Sequence, residues 1–186
     1  MENSHDKPHI YTIGHSTRPI EEFVKLLQAH GVARLVDIRT IPKSRHNPQF
    51  GGENLAASLQ QAGIEYTHLA GLGGLRHTTA DSPNKGWRNT SFRGYADYMQ
   101  TQEFTDSLQG AIALGTQEQI ALMCAEAVPW RCHRSMVADA LIVRGFEVEE
   151  IVNTEKRQHH KLTPFARVDG LRITYPPDQP QTGELF

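Results

Sequence analysis

Short β-prone runs alternate with helical segments along most of this chain, and this alternation restricts the possible folds more than any other feature. The β-prone runs cover residues 10–13, 35–38, 64–69, 120–123 and 146–152. Segments with apolar residues at helical spacing cover residues 19–30, 55–62, 95–114 and 135–144. Parallel strands need crossover connections, which are usually helices. The sequence therefore predicts an α/β fold, a single three-layer domain with a mostly parallel sheet flanked by helices.

The domain is expected to cover residues 10–175, between a flexible N-terminus of residues 1–9 and a C-terminal tail of residues 176–186. With 186 residues and 38% hydrophobic content, the chain can bury one sizeable core. The net charge of -2 excludes a global basic field for nucleic acid. Without a long apolar run or a signal-like start, we expect a soluble, cytoplasmic protein with no membrane partner. The oligomeric state is not predicted.

Polar residues directly follow three of the predicted strands. In open parallel sheets, ligands usually bind beyond the carboxyl ends of the strands, where loops and helix N-termini meet. If these strands are neighbours, their polar residues face one cleft. The residues concerned are His15 and Ser16 after the first strand, Asp37, Arg39 and Ser44 after the second, and Cys124, Glu126, Arg131, Cys132, His133 and Arg134 after the fourth.

The two cysteines of the chain lie in the loop after the fourth strand. Cys124 would end the strand, whereas Cys132 and His133 would begin the next helix, where free backbone amides favour anions. The neighbouring Arg131 and Arg134 would lower the pKa of a thiol further. Cys124 or Cys132 is therefore a candidate nucleophile.

Two other interpretations of these cysteines remain open. Cys124 could be a small buried apolar residue at the end of a core strand. Metal binding by Cys124, Cys132 and His133 is a third interpretation, but the spacing matches no standard zinc module, and a fourth ligand would have to come from His15, His159 or His160. We therefore predict no metal and no cofactor.

The remaining candidates supply charge and proton transfer. Arg39, Arg131 and Arg134 could bind a phosphate or carboxylate through forked hydrogen bonds, with Ser16 and Ser44 as further ligand-binding residues. Acid/base candidates are Glu126, Asp37, His15 and His133. Because side chains alternate along a strand, Asp37 and Arg39 are expected to face opposite sides.

Three separated motifs resemble the family labelled "domain of unknown function 488". They are residues 11–16 (Tyr-Thr-Ile-Gly-His-Ser), residues 36–39 (Val-Asp-Ile-Arg) with Pro42 and Ser44, and residues 124–126 (Cys-Ala-Glu) with Pro129 and residues 132–134 (Cys-His-Arg). The resemblance covers roughly residues 10–175 and implies that these polar segments belong together, but it implies no reaction. Residues 120–146 also resemble, in the order of their parts, the active-site loop of rhodanese-type sulfurtransferases and cysteine phosphatases. In those families an arginine closely follows the cysteine, whereas here Arg131 is seven positions on.

Two functional hypotheses follow. The first is an enzyme with a reactive cysteine whose carboxyl-edge cleft binds an anionic small molecule, nucleotide or nucleic acid; sulfur transfer, ester hydrolysis and base chemistry remain open. The second is a non-catalytic binding module that recognises nucleic acid through the aromatic and basic residues 87–98. Its tail would dock on a sliding clamp through Gln181, Leu185 and Phe186, which resemble clamp-binding peptides.

Overall fold

A six-stranded sheet forms the centre of the protein. The structure, a computed structural model, describes residues 7–178. The strands are β1 (His9–Gly14), β2 (Arg34–Asp37), β3 (Glu65–His68), β4 (Ile120–Cys124), β5 (Glu147–Ile151) and β6 (Arg157–His159). Their spatial order is β3-β2-β4-β1-β5-β6, and all neighbours are parallel except β5 and β6. The predicted α/β class with a mostly parallel sheet is confirmed.

Five helices cover the two faces of this sheet. They are α1 (Ile20–Ala29), α2 (Gly52–Gln61), α3 (Thr90–Tyr98), α4 (Gln102–Gln117) and α5 (Arg134–Val143). The side chains of β4 alternate between the two faces of the sheet, so that this strand contributes to two hydrophobic cores. Ala121 and Met123 pack in the core with α1 and α2, whereas Leu122 and Cys124 pack in the core with α3, α4 and α5.

Three local differences from the predicted elements have simple physical causes. The predicted helix over residues 95–114 is two helices, because the Thr101 hydroxyl accepts a hydrogen bond from the Phe104 amide at 3.2 Å and begins α4. The chain after residue 163 forms a separate hairpin, β7 (Arg167–Asp169) and β8 (Arg172–Thr174), with Gly170 at φ +61° in its turn. Strand β6 was not predicted, since its side chains are polar and exposed.

The strand order places β4 directly between β1 and β2. Gly14 pairs with Cys124 and Asp37 pairs with Met123, so the carboxyl ends of the three strands lie side by side. The ladder between β1 and β4 continues beyond both strands, because the His15 amide donates to the Cys124 carbonyl at 2.9 Å and the Ser16 amide to the Ala125 carbonyl at 3.0 Å. The segments that the sequence predicted to share one edge are therefore neighbours.

Across residues 7–178, no helix combines the length and the apolar character that crossing a membrane requires.

Candidate functional site

A cavity of about 360 Å³ opens at the carboxyl edge of the sheet. Its wall combines residues at or after the ends of β2 and β4 with residues from the loop after β3 and the first turn of α3. Its lining includes Arg39, Lys43, Leu75, Phe92, Cys124, Glu126, Arg131, Cys132 and His133. Cavities of this size at this edge are the usual ligand sites of parallel α/β proteins.

The two cysteines lie in contact at the base of the cavity. The Sγ atoms of Cys124 and Cys132 are 2.6 Å apart, and both cysteines are free and buried. Cys124 ends β4, and residues 125–131 then fold back through a short 3-10 helix, Pro129–Arg131, which brings Cys132 over the strand end. The Cys132 amide donates to the Pro129 carbonyl at 3.1 Å and fixes this return. Eight residues of separation in the sequence thus become a thiol pair in space.

Arg134 lies directly beside the pair and is fully buried. Its Nη1 atom lies 2.7 Å from Cys124 Sγ and donates to the Glu126 carbonyl at 2.6 Å. Its Nη2 atom lies 2.7 Å from Oε1 of Glu150 on β5, an ion pair that offsets the cost of burying the guanidinium. Glu150 also accepts a hydrogen bond from the Thr12 hydroxyl on β1.

The surroundings give the two thiols opposite proton affinities. Burial alone would raise the pKa of Cys124, but the hydrogen bond from the Cys132 thiol and the charge of Arg134 bring that pKa below its ordinary value. The same hydrogen bond, together with burial, raises the pKa of Cys132 well above its ordinary value. The favoured state is therefore a Cys124 thiolate that accepts a hydrogen bond from the Cys132 thiol.

His133 lies on the other side of Cys132. Its Nε2 atom is 3.1 Å from the Ile38 carbonyl, which can only accept, so Nε2 carries the proton of the neutral ring. The Nδ1 atom is then the acceptor that lies 3.5 Å from Cys132 Sγ. Burial lowers the pKa of His133 to about 4, so the imidazole is neutral at neutral pH.

Asp37 and Arg39 do not face opposite sides, which corrects the expectation from alternation. Strand β2 ends at Asp37, and the chain turns so that Arg39 folds back on the carboxylate through Nε at 2.9 Å and Nη2 at 2.7 Å. Tyr66 donates to the same carboxylate at 2.6 Å, and Arg39 Nη2 also donates to the Phe50 carbonyl at 2.8 Å. Arg39 lines the cavity with its guanidinium already paired.

His15 is buried behind Arg39 and does not line the cavity. Its Nδ1 atom lies 2.7 Å from the Ser16 carbonyl, so Nδ1 carries the proton and Nε2 faces Arg39 Nη1 at 3.4 Å. The ring stacks on Phe50 with centroids 4.2 Å apart. Burial lowers the pKa of His15 to about 4, so this imidazole is a neutral, tautomer-fixed part of the site's rear wall.

The other predicted site residues divide between the cavity and its surroundings. Glu126 and Arg131 are exposed and line the cavity. Ser16 and Ser44 do not line it: Ser16 has φ +53° in the turn after β1, and the Ser44 hydroxyl accepts from the Asn47 amide at 3.2 Å. Arg134 is enclosed behind Cys124 and does not line this cavity.

Sequence reasoning missed two functional candidates. Lys43 is exposed and lines the cavity together with Ile41. Glu150 is the second: alternation along β5 puts it on the same side as the buried Val148, and a buried carboxylate needs a partner, a signal that could have found it.

Several glycines near the site allow close backbone approach. A Cβ on Gly14 would overlap the Glu126 carbonyl oxygen, and one on Gly73 would overlap Thr40. A Cβ on Gly74 would lie 2.7 Å from His133 Nδ1. The glycine-rich loop at residues 71–74 therefore lets Thr40 and His133 pack closely against it.

The aromatic residues proposed to stack on nucleic-acid bases pack against one another. Trp87 contacts Phe92, Phe165 and Tyr175, with ring centroids 4.8 to 5.3 Å apart. The side chain of Arg93 donates to the Trp87 carbonyl at 3.0 Å. Gln181, Leu185 and Phe186, the proposed clamp-binding residues, lie outside the described residues.

Among residues 7–178, the arrangement that could hold a metal ion is His9 with Glu147 and Glu149, near the amino ends of β1 and β5 and away from the cysteines. His9 Nε2 and Glu147 Oε2 are 3.3 Å apart.

The fold and this site define a class of protein: a mostly parallel α/β domain with a buried cysteine pair at the carboxyl edge of its sheet. The chain belongs to the family described as "Domain of unknown function DUF488", whose model matches residues 19–141, more than half of the chain. The resemblance to this family is confirmed. Comparisons with curated proteins and with solved structures found no match. The likeness to rhodanese-type loops stays a prediction.

Proposed function

We propose that this protein is an enzyme whose nucleophile is the Cys124 thiolate and whose substrate is an anionic molecule bound in the carboxyl-edge cavity. One observation carries the proposal: Cys124 Sγ lies 2.7 Å from Arg134 Nη1 and 2.6 Å from Cys132 Sγ. A cysteine that only fills space in a core needs neither partner, and a buried guanidinium beside it would be costly.

The charges at the cavity support an anionic substrate. Lys43 and Arg131 are exposed there against the single exposed carboxylate of Glu126. Neither cationic side chain has an ion-pair partner among residues 7–178, so both can bind a carboxylate, sulfonate or phosphate, whereas the guanidinium of Arg39 already pairs with Asp37. The anion is therefore assigned to Lys43 and Arg131, with Arg39 as a positioning residue.

The chemistry begins with attack of Cys124 Sγ on an electrophilic atom of the substrate. A bond forms to sulfur, and the displaced group leaves with the electron pair of the broken bond. Glu126 lines the cavity and can transfer a proton to or from a bound group. Asp37 and His15 hold Arg39 and are not assigned proton transfer.

The test is the pH dependence of iodoacetamide labelling at each cysteine, resolved by mass spectrometry on the folded protein. Cys124 should label with an apparent pKa below the free value of about 8.5, and Cys132 should stay unlabelled near neutral pH. The Cys132→Ser variant keeps a donor beside Cys124 and serves as the matched control. Labelling of both cysteines only after unfolding would overturn the proposal.

A further inference from the structure

The contact between the two sulfur atoms carries a second conclusion, which rests on the proposed function. We infer that Cys132 is a resolving thiol and that the substrate class is a small anionic disulfide, which the pair reduces by thiol–disulfide exchange. This assignment is based on the distance of 2.6 Å between Cys132 Sγ and Cys124 Sγ.

A second thiol in contact with the nucleophile is useful for one kind of intermediate in particular. If Cys124 carried an acyl or phosphoryl group, attack by Cys132 would only move that group to a second sulfur, and water would still be needed for release. If Cys124 carries a mixed disulfide, attack by Cys132 on Cys124 Sγ completes the reaction without water. Cys124 and Cys132 are almost completely buried, at 2% and 5% exposure, which favours the route without water.

The reduction takes place in two thiol–disulfide exchange steps. The Cys124 thiolate attacks one sulfur of the substrate R–S–S–R, an S–S bond forms to Cys124, and R–S⁻ leaves with the electron pair of the substrate's S–S bond. Cys132 then attacks Cys124 Sγ, and the second R–S⁻ leaves. The substrate is reduced to two thiols, and the protein is oxidised to a Cys124–Cys132 disulfide. A thiol reductant restores the pair by the reverse exchanges.

His133 lies within reach of the Cys132 thiol and can accept its proton. Once Cys124 is in a mixed disulfide, Cys132 no longer donates to a thiolate and must lose its proton to attack. His133 Nδ1 lies 3.5 Å from Cys132 Sγ and presents a lone pair, because Nε2 holds the ring proton against the Ile38 carbonyl. His133 takes this proton and passes it to the second leaving thiolate.

The cavity fits a disulfide with an anionic group. Its volume of about 360 Å³ suits a small molecule, and the exposed apolar side chain of Leu75 lines it together with Lys43 and Arg131. The cations would hold the anionic group while the S–S bond reaches the base of the cavity, where Cys124 lies.

The experiment mixes the reduced full-length protein with oxidised glutathione and analyses the products by non-reducing mass spectrometry. The wild type should form the Cys124–Cys132 disulfide and release two glutathione molecules for each protein. Cys132→Ser should stop at a mixed disulfide on Cys124 and release one. Cys132→Ala, checked for folding by circular dichroism, should stop at the same point, and Cys124→Ser should not react near neutral pH.

The outcomes separate this inference from the proposed function. A stable mixed disulfide on Cys124 in the wild type would overturn the role of Cys132 while leaving Cys124 as the nucleophile. Failure of Cys124 to react with either iodoacetamide or the disulfide would overturn both. The substrate class is tested with bis(2-hydroxyethyl) disulfide, which is neutral: it should react roughly tenfold more slowly at low salt, and equal rates would contradict an anionic substrate.

His133→Gln distinguishes proton transfer from a structural role. It should slow the second step more than the first, seen as accumulation of the mixed disulfide. Slowing of both steps to the same extent would contradict proton transfer by His133.

Discussion

Arg134 and Glu150 form a buried ion pair, with Nη2 2.7 Å from Oε1, on the side of the guanidinium away from Cys124. The carboxylate on β5 and the sulfur at the end of β4 therefore share one cation. Because the strand order places β1 between these two strands, Arg134 connects them across β1. The proton affinity of Cys124 thus depends on a residue that does not touch it.

Glu150→Gln should weaken the fold and lower the pKa of Cys124. Removing one partner of a buried ion pair costs about 3 kcal/mol of unfolding free energy, measured by urea denaturation. The thiolate becomes the main anion beside Arg134, so labelling of Cys124 should persist to lower pH. Glu149→Gln is the matched control, since Glu149 pairs with the partly exposed Arg157, and it should cost less than about 1 kcal/mol. Equal effects of the two substitutions would contradict a special role of Glu150.

The cysteine pair should give the protein a stability maximum near pH 8.5. Between the depressed pKa of Cys124 and about 8.5, the unfolded chain binds more protons than the native state, so stability rises with pH. Above about 8.5 the unfolded chain loses both thiol protons while the native state keeps that of Cys132, so stability falls. The unfolding free energy from urea titrations between pH 6 and 10 should show this maximum. The double variant Cys124→Ser and Cys132→Ser should lack it.

Two buried histidines should make the protein sensitive to acid. The pKa values of His15 and His133 are lowered to about 4, so the unfolded chain takes up their protons first as the pH falls below about 6.5. Their contribution to stability is complete above that pH and is lost between about 6.5 and 4. His133→Asn should show a shallower decline of unfolding free energy over this range than the wild type. His46→Asn, at an exposed position, should keep the wild-type slope, and a similar decline in both variants would contradict the assignment.

Gly14→Ala should damage the site through the backbone. The new Cβ would overlap the Glu126 carbonyl oxygen, which Arg134 also binds, so residues 125–131 must move. We expect a loss of about 3 kcal/mol in unfolding free energy, together with a rise in the labelling pKa of Cys124. Gly110→Ala is the control, because nothing lies within 4 Å of a Cβ there and alanine should stabilise α4 by roughly 0.5–1 kcal/mol. A tolerated Gly14→Ala with an unchanged pKa would contradict the proposed contact.

The fold was largely predictable because strand and helix periods are local. Three of the helical segments are followed by a glycine that marks the helix end, and each of these glycines has positive φ: Gly31, Gly63 and Gly145. The sequence analysis misses the break between α3 and α4, although no apolar residue lies between Met99 and Phe104, because the capping bond of Thr101 is a single polar contact.

The sequence predicts the location of the candidate site better than it predicts which side chains contact one another there. The positions after β1, β2 and β4 follow from a general rule for parallel sheets, but the partners of Arg39 and Arg134 depend on how each loop turns back. Alternation could not predict that Arg39 binds Asp37, because β2 ends at Asp37 and the pattern ends with it. The contact between Cys124 and Cys132 depends likewise on the turn at residues 129–131.

The amides of His15 and Ser16 donate to the carbonyls of Cys124 and Ala125, which lie more than a hundred positions later in the chain. Contacts of such long sequence separation form late in folding, because a large loop must close first. The segment from Cys124 to Arg134 must also leave the ribosome before any of them can form. A newly made chain therefore carries two ordinary thiols, and the acidic thiolate arises only when folding is nearly complete. Thiol acidity at Cys124 can thus serve as a kinetic probe of native structure in a refolding experiment.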